Sequence, residues 1–282
     1  DMAAVTGKTG LSLPPMEVLK ADRALRDHLR LPYRGGEMLQ PWYQVKYKGG
    51  STRLCDTITV TYRFHIDALP TGISLALEDL EHIRRILING REIPRKSSGK
   101  WIDICFDKIP LPDEVLCPGA NTITLVMDYY STCGIEAVYL LGEFGVTLAN
   151  NRPTLTTLPE TITIGDITPQ GLPFYSGAIT YHIEGLQNTL CSVTTPDFGG
   201  ALLKLSGKEE VPLAFPPHKA LIRDLNAIRL ILTRRNTFGP LHHPEKRQYS
   251  YSPASFITEP PCWTDSYVLY EQGLLKKPEI LY

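Results

Sequence analysis

The stretches DTITVTYRFHID, residues 56–67, and SGAITYHIEGL, residues 176–186, decide the fold of this chain. In both, apolar and polar side chains alternate around a tyrosine, which is the pattern of a β-strand with one buried face. The second stretch also resembles the first, and a unit that recurs along a chain indicates a second copy of one structural module. The pair therefore predicts two β domains in tandem.

Three further pairs of segments repeat in the same order. They are ILINGREI (86–93) with LLKLSGKEEV (202–211), GANTITLVMDY (119–129) with LNAIRLILTRRN (225–236), and AVYLLGEFGVTL (137–148) with SYVLYEQGLL (266–275). Asn89 and Gly90 give a hairpin signal, and short strands separated by frequent turns are typical of a sandwich or jelly roll. The sequence thus predicts an all-β fold of two tandem jelly-roll sandwiches, at residues 44–151 and 152–282.

Residues 1–43 form a leader outside the repeat. Within it, PMEVLKADRALRDHLRL at 15–31 places one methionine and three leucines on one helical face, with prolines at both ends. We expect this helical extension to be a packing strap on a neighbouring domain. A binding role is the alternative.

Composition excludes two classes of partner. The chain has 282 residues, of which 43% are hydrophobic and 21% charged, and it contains no apolar run of the roughly 18 residues that a membrane helix needs. Its formal net charge is −1 and its sequence pI is about 6.7. Such a chain lacks the basic field that nucleic-acid binding requires. We therefore expect neither a membrane nor a nucleic acid as partner.

The cysteines indicate a reducing compartment. They have no C-x-x-C spacing, so buried free thiols are favoured over a disulfide framework or a zinc site. They are Cys55, Cys105, Cys117, Cys133, Cys191 and Cys262. The first residues, DMAAVTGKTG, lack the features of a secretory signal, and a start at Asp1 indicates that upstream sequence is missing. We expect a cytoplasmic location.

Several motifs resemble the galactose-binding-like jelly rolls that accompany glycoside hydrolases. The resemblance follows from a strand ending in Y-x-F, a segment ending in N-G, an aromatic-plus-Asp strand, and P-G-x-N-x-I-x-L. These pieces lie at 62–64, 86–90, 101–103 and 118–125. The second copy keeps Tyr181 and Gly207, and approaches the next strand through Pro216, Pro217 and His218. It reduces P-G-x-N to Leu-Asn-Ala at 225–227.

A second set of motifs narrows the resemblance. The combination of IEAVYLLGEFGV (135–146), GLPFYSGAITY (171–181) and RNTFGPLHH (235–243) resembles the accessory C-terminal region of multidomain proteins related to the β-galactosidase and α-L-rhamnosidase families. The resemblance covers residues 44–282. It implies that the partners are a carbohydrate and a catalytic domain of the same polypeptide. It leaves one structural Ca²⁺ as an alternative to no cofactor, because such jelly rolls often hold one.

The carboxylates do not form a catalytic pair in the sequence. Glycoside hydrolysis needs two carboxyl groups roughly 5 to 9.5 Å apart. The candidates with the most suggestive setting are Asp103, Asp128, Glu136 and Glu143. They lie in or beside strand-like segments, and no βα alternation exists to form a catalytic barrel. We therefore expect no catalytic residue in this chain.

Two other motifs are also interpreted as noncatalytic. His242 and His243 lie near Glu245, but adjacent side chains rarely reach one metal ion, so we expect them to pack against a neighbouring domain. The run GKT at 7–9 resembles the end of a phosphate loop. It lacks the preceding glycine at the required spacing, and no apolar helix follows it.

Aromatic residues in predicted loops are the candidate carbohydrate-binding residues. Sugar rings stack on flat aromatic faces, and their hydroxyls bond to planar amide, carboxylate or guanidinium groups. The candidates are Trp101, Tyr129, Tyr130, Arg235, Asn236, His242, Tyr249 and Trp263. Two alternatives stay open: Trp101 as a core residue of the sandwich, and the loop at 235–243 as a domain interface.

The sequence thus predicts a noncatalytic region of a glycoside hydrolase-like protein that binds carbohydrate or supports the catalytic domain. One alternative is an independent lectin-like module. The other is a structural protein-interaction domain without sugar binding.

Overall fold

The computed structural model describes residues 1–34, 47, 49, 52–149, 151–245 and 255–282. These residues form mainly antiparallel sheets with few helices, so the all-β prediction is confirmed. Within them, the α-helices are α1 (Val18–Leu29) and α2 (Arg235–Phe238). Short 3₁₀ turns lie at Leu80–His82, Asp113–Val115 and Thr168–Gln170.

The chain divides into two compact units. The first comprises Asp1–Leu158 with Tyr249–Cys262, and the second comprises Pro159–Gln248 with Trp263–Tyr282. The strands of the first unit are β1 (Met2–Gly7), β2 (Ser12–Glu17), β3 (Leu54–Ile66), β4 (Ser74–Leu77), β5 (Ile83–Ile88), β6 (Arg91–Ile93), β7 (Lys100–Trp101), β8 (Asp103–Pro110), β9 (Gly119–Tyr130), β10 (Tyr139–Leu141), β11 (Gly145–Ala149) and β12 (Arg152–Thr156). Those of the second are β13 (Ala178–His182), β14 (Leu190–Thr194), β15 (Leu202–Ser206), β16 (Glu210–Leu213), β17 (Lys219–Arg223), β18 (Ala227–Ile231) and β19 (Glu279–Leu281).

These units correct the predicted limits. Strand β12, which the sequence assigned to the second sandwich, pairs with β11 and β3 instead. It belongs there because Leu155 is buried in the core of the first unit. Strands β1 and β2 of the predicted leader also join the first sheet, since β1 pairs with β3. The predicted limit at residue 43 lies outside the described residues.

Two sheets build the first unit. One has the order β11-β12-β3-β9-β5-β6, with β1 and β2 attached to β3, and the other has the order β10-β4-β8-β7. Strands β3 and β9 are the longest ladder, and Val60 lies opposite Leu125 near its middle. Alternate residues of both strands are buried, as a period of two requires.

The second unit repeats part of this topology. Its order β13-β18-β15-β16 matches the order β3-β9-β5-β6 of the first unit, and β14 pairs with β17 and β19 in a separate sheet. The first three repeated segment pairs therefore occupy equivalent positions in the two units. The fourth pair does not: 137–148 contains β10, whereas 266–275 contains an isolated bridge from Gly273 to Gly199.

Helix α1 packs on the first core through charged as well as apolar residues. The carboxylate of Glu17 caps its first turn by accepting from the backbone N–H of Leu19 (2.9 Å) and of Lys20 (3.3 Å). Leu25 is fully buried, and so is the side chain of Arg26 with its charged group. No helix of the described residues is long and apolar enough to cross a membrane.

Candidate functional site

A cluster of three aromatic rings lies on the smaller sheet of the first unit. Trp101 is half-buried, and its ring centroid lies 5.6 Å from Phe106 and 5.3 Å from Tyr139. Phe106 and Tyr139 meet edge to face at 5.5 Å. Tyr139 is also half-buried, whereas Phe106 is buried beneath the other two. The cluster therefore exposes parts of two rings that a third ring supports.

Sheet pairing explains why these rings meet. Tyr139 of β10 lies opposite Ala76 of β4, which in turn lies opposite Lys108 of β8. Phe106 is two residues from Lys108, so it projects from the same face of the sheet as Tyr139. Strand β7 folds back on β8 with an irregular register at Trp101, and this turn brings the ring centroid of Trp101 to 5.6 Å from that of Phe106.

The turn between Trp101 and Asp103 has an unusual backbone. Ile102 has φ of 61°, a left-handed conformation that a β-branched residue rarely adopts. A residue held in this way costs about 1–3 kcal/mol and is often associated with a functional site. The strained residue Ile102 directly follows Trp101, so the strained turn helps to set the position of the Trp101 ring.

A chain of polar groups borders the aromatic rings. Cys105 lies close enough to the carboxylates of Glu78 and Asp103 for their charges to affect its thiol. The backbone N–H of Cys105 also donates to Asp103 (3.2 Å). Partial desolvation, followed by the two negative charges, raises the pKa of the Cys105 thiol to about 12. The thiol therefore stays protonated at neutral pH.

Glu78 has the most perturbed carboxylate of this site. Burial raises its pKa first, the nearby charges of Glu136 and Asp79 add to the effect, and the pKa reaches about 7. Burial also raises the pKa of Glu136, although Arg34 opposes that shift. Glu78 thus changes its charge near neutral pH.

A buried ion network lies behind Glu78. Asp22 accepts from Arg26 (3.1 Å) and from Arg34 (3.0 Å), and Arg34 also forms an ion pair with Glu136. A small cavity of about 20 Å³ is lined by Glu78, Glu136 and their neighbours. This volume suits one water molecule, so the cavity holds no larger ligand.

Tyr129 and Tyr130, two of the predicted sugar-binding residues, are less exposed than the sequence suggested. Tyr129 is fully buried, and its hydroxyl donates to Asp22 (2.7 Å), so its ring cannot stack on a sugar. It lies on the buried face of β9, in phase with Met127. Tyr130 is half-buried against His82, with 4.9 Å between ring centroids. Neither residue reaches the contacts of Trp101 described above.

In the second unit, the loop at 235–243 carries a cluster of buried polar side chains. Asn236 is fully buried, and its side chain exchanges two hydrogen bonds of 2.8 Å with the backbone of Tyr270. His242 is 5% exposed, and its Nδ1 lies 3.0 Å from the carbonyl of Thr264. These contacts hold the loop in place. The side-chain amide of Asn236 forms both of these hydrogen bonds inside the protein.

The other two candidates of this unit, Arg235 and Trp263, contact the same cluster of buried side chains. Arg235 is buried, with its guanidinium 4.8 Å from the ring centroid of Tyr270. Trp263 is half-buried, stacks on His242 at 4.7 Å, and donates to Asp265 (3.0 Å). Arg235, Asn236 and His242, which the sequence predicted as sugar contacts, are thus all buried. Tyr249 lies outside the described residues.

Sequence reasoning missed Glu78, Tyr139 and Phe106. A signal existed for Glu78, since two carboxylates follow the apolar run ISLAL at 73–77 and so mark the end of a strand. Nothing local distinguishes Tyr139, because its neighbours are brought together by pairing with β4. Of the carboxylates considered for catalysis, Asp103 and Glu136 lie at or behind this site, Asp128 pairs with Arg84 (2.7 Å), and Glu143 is exposed on a turn.

Two further motifs have structural roles. Thr9, in the GKT run, donates its hydroxyl (2.6 Å) and its backbone N–H (3.3 Å) to the carboxylate of Asp56, so the run is bound to a side chain of the protein. Within the described part of the chain, no group of three or more His, Cys, Asp or Glu residues is arranged to hold a metal ion. All six cysteines are free thiols.

Comparison with solved structures finds distant neighbours. One is a β-D-mannosidase from Dictyoglomus thermophilum, with 12% identity, a TM-score of 0.33, and coverage of 83% of this chain and 31% of that chain. Another is a rhamnosidase from Novosphingobium sp. PP1Y, with 14% identity, a TM-score of 0.23, and coverage of 80% and 21%. The chain thus spans less than a third of either neighbour. No family model and no curated protein matches it.

Proposed function

We propose that this chain is a noncatalytic, carbohydrate-binding region of a glycoside hydrolase-like protein, built from two galactose-binding-like sandwiches. Its binding site would be the exposed part of Trp101 and Tyr139, together with Glu78 and Asp103. The catalytic domain would lie elsewhere in the same polypeptide. The likeness to the two glycoside hydrolases is too distant to support this assignment, so it depends on the residues of the site.

The observation that carries the proposal is the half-exposed pair of rings beside polar acceptors. Trp101 and Tyr139 offer aromatic surface 5.3 Å apart, which suits the apolar face of a pyranose. The carboxylates of Glu78 and Asp103 can accept hydrogen bonds from sugar hydroxyls. In this role the carboxylates bind and orient, and the proposal assigns them no bond-breaking step.

The test is a glycan array on the full chain, with hydrolysis of a panel of aryl glycosides measured on the same sample. We expect binding without turnover. Trp101→Ala should weaken binding about tenfold or more, because a stacking platform is lost. Trp263→Ala is the matched control: it removes another half-buried tryptophan and should leave saccharide affinity unchanged. Binding that survives Trp101→Ala, or that needs Trp263, would refute this site.

A second candidate function is support of the catalytic domain. The observation in its favour is the exposure of Ile104 (86%) and Ile102 (42%) beside Trp101. Exposed apolar side chains that lie together often mark a protein contact. If this patch meets another domain, the isolated chain should self-associate in sedimentation experiments, and Ile104→Ser should reduce that association. An unchanged monomer fraction in both proteins would contradict a supporting role for the patch.

A further inference from the structure

We infer that the site at Trp101 and Tyr139 selects acidic saccharides, and that Lys108 is the cation that pairs with their carboxylate or sulfate groups. This inference rests on the proposed function and adds the chemical class of the ligand. It follows from the position of Lys108 in the smaller sheet and from the charged groups around it.

Lys108 lies on the same face of the sheet as the aromatic rings. Tyr139 lies opposite Ala76, and Ala76 lies opposite Lys108, so the three residues form one row across β10, β4 and β8. Directly opposite residues of antiparallel strands project from the same face. Phe106 projects from this face too, because it is two residues from Lys108, whereas Ile109 is buried in the core on the other face. Lys108 therefore borders the rings.

The row is short enough for one saccharide to meet both of its ends. Neighbouring strands are about 4.8 Å apart, so the backbone of Lys108 lies about 10 Å from that of Tyr139. The flexible four-carbon stem of lysine covers part of this distance and carries an ammonium group at its end. A saccharide stacked on the exposed rings can therefore place an acidic group within reach of Lys108.

The backbone of Lys108 is held beside the segment that carries Trp101. The N–H of Lys108 donates to the carbonyl of Gly99 (2.9 Å), and its carbonyl accepts from the N–H (2.8 Å) and the hydroxyl (3.1 Å) of Ser98. Trp101 is two residues beyond Gly99. The ammonium group of Lys108 and the indole ring are thus anchored to the same two neighbouring strands.

The charges next to Lys108 favour an anion. The segment at 96–100, which bonds to the backbone of Lys108, begins with Lys96 and ends with Lys100. Lys100 pairs with Asp107 (2.9 Å), whereas no ion pair between described residues includes Lys96 or Lys108. Two of these three lysines thus keep a positive charge that an acidic ligand can neutralise.

The carboxylates of the proposed site lie at other positions along the strands. Asp103, at the start of β8, is five residues from Lys108, or about 17 Å in an extended strand. Continued by one residue, the pairing of β4 with β8 brings Glu78 to Phe106 instead of Lys108. The carboxylates can therefore accept from sugar hydroxyls while Lys108 pairs with the acidic group.

The experiment compares two pairs of oligosaccharides of equal length on the full chain by titration calorimetry at pH 7.5 and low salt. One pair is an oligogalacturonate and its methyl ester, and the other is a sulfated galactose oligomer and its unsulfated form. We expect the acidic member of at least one pair to bind about tenfold more tightly than its neutral partner, as one charge-assisted hydrogen bond provides. The pair that shows this preference identifies the acidic group. The preference should shrink as salt is added, because salt screens exposed charges.

Lys108→Gln tests the cation, and Lys8→Gln is the matched control. Both variants remove one positive charge, but Lys8 lies exposed in the turn between β1 and β2, which belong to the larger sheet. Lys108→Gln should bring the acidic and neutral forms to equal affinity and keep binding of the neutral one. Lys108→Arg, which retains the charge, and Lys8→Gln should both keep the preference. Thermal unfolding of each variant confirms that it is folded.

The outcomes separate the two proposals. Trp101-dependent binding with equal affinity for the acidic and neutral members of both pairs would refute the inference about acidic ligands alone. Binding of none of the saccharides, together with an empty glycan array, would refute the proposed function. A preference that persists in Lys108→Gln would also overturn the inference, because the assigned cation would not be responsible for it.

Discussion

Ile102, which follows Trp101 of the candidate site, has a strained backbone conformation. Asparagine tolerates the left-handed region better than a β-branched side chain, so Ile102→Asn should raise stability by about 1 kcal/mol. Ile104→Asn, in the extended strand two residues later, should change stability by less than about 0.5 kcal/mol because that side chain is solvent-exposed. Denaturant unfolding of the two variants checks this. Equal effects would show that the turn stores no strain.

Glu78 predicts a pH dependence of stability. Its pKa rises from 4.5 to about 7 on folding, so the folded state favours the protonated form. Stability from this group is therefore present at acidic pH and is lost as the pH rises from 4.5 to 7. Glu78→Gln should be more stable than the wild type above pH 7 and should show a shallower decline across that window. Melting temperatures at a series of pH values check this, and parallel profiles would contradict it.

Individual site residues were only partly predictable from sequence. Trp101 was predicted because it follows a turn-rich segment, and its role in sugar binding stays a prediction. Tyr129 was misread although the signal was there: it continues the alternation of Ile123, Leu125 and Met127, which marks the buried face of a strand. Tyr139 could not be found from local sequence, because strand pairing decides its neighbours.

At the scale of elements, α1 is held to the first sandwich by a buried charge network. Asp22 accepts hydrogen bonds from Arg26, Arg34 and Tyr129, and Arg26 donates to the carbonyl of Cys133 (2.5 Å). Removing one partner of a buried ion pair leaves the other unpaired. The helix is therefore attached by polar contacts that its leucine pattern does not reveal.

Asp22→Asn tests this attachment. We expect a loss of about 3–5 kcal/mol, because the buried guanidinium of Arg26 loses its carboxylate and Arg34 keeps only Glu136. Asp27→Asn is the control on the same helix. The carboxylate of Asp27 accepts an exposed hydrogen bond from Tyr33 (2.6 Å), and its replacement should cost less than about 1 kcal/mol. Chemical denaturation measures both, and similar losses would contradict a special role for the network.

In the second unit, we expect the buried hydrogen bonds of the loop at 235–243 to contribute to stability in a similar way. Asn236→Ala leaves the backbone N–H and carbonyl of Tyr270 without their side-chain partner and should cost about 2–4 kcal/mol. Asn226→Ala, at an exposed position that contributes backbone hydrogen bonds, should cost less than about 0.5 kcal/mol. Hydrogen exchange at the amide of Tyr270 should rise only in the first variant. Unchanged protection there would show that the amide pair does not hold the loop.

At the scale of the whole chain, charge predicts poor solubility near neutral pH. The formal net charge is −1 and the sequence pI is about 6.7, so electrostatic repulsion between copies is smallest there. We expect light scattering of a concentrated solution to peak near pH 6.7 and to fall at pH values above and below it. Scattering that does not vary with pH would show that apolar contacts, rather than charge, govern association.

At this scale, the sequence predicted the parts of the fold that local patterns and repeated segments encode. Alternation and turn residues identified the strands, and the order of repeated segments anticipated the matching orders β3-β9-β5-β6 and β13-β18-β15-β16. The boundaries were not predictable. They depend on which core buries Leu155 and on a late segment that joins the first unit, and neither property is encoded in local patterns.

That late segment sets the order in which the protein can be completed during synthesis. The first unit includes Tyr249–Cys262, and Arg23 bonds to Thr258 (2.9 Å) and Glu259 (2.7 Å) within it. These contacts have to wait until Thr258 and Glu259 have left the ribosome, although the strands of the first unit emerge much earlier. A nascent chain halted before residue 249 would therefore carry the first sandwich in an unfinished form, with the anchor of Arg23 still to be made.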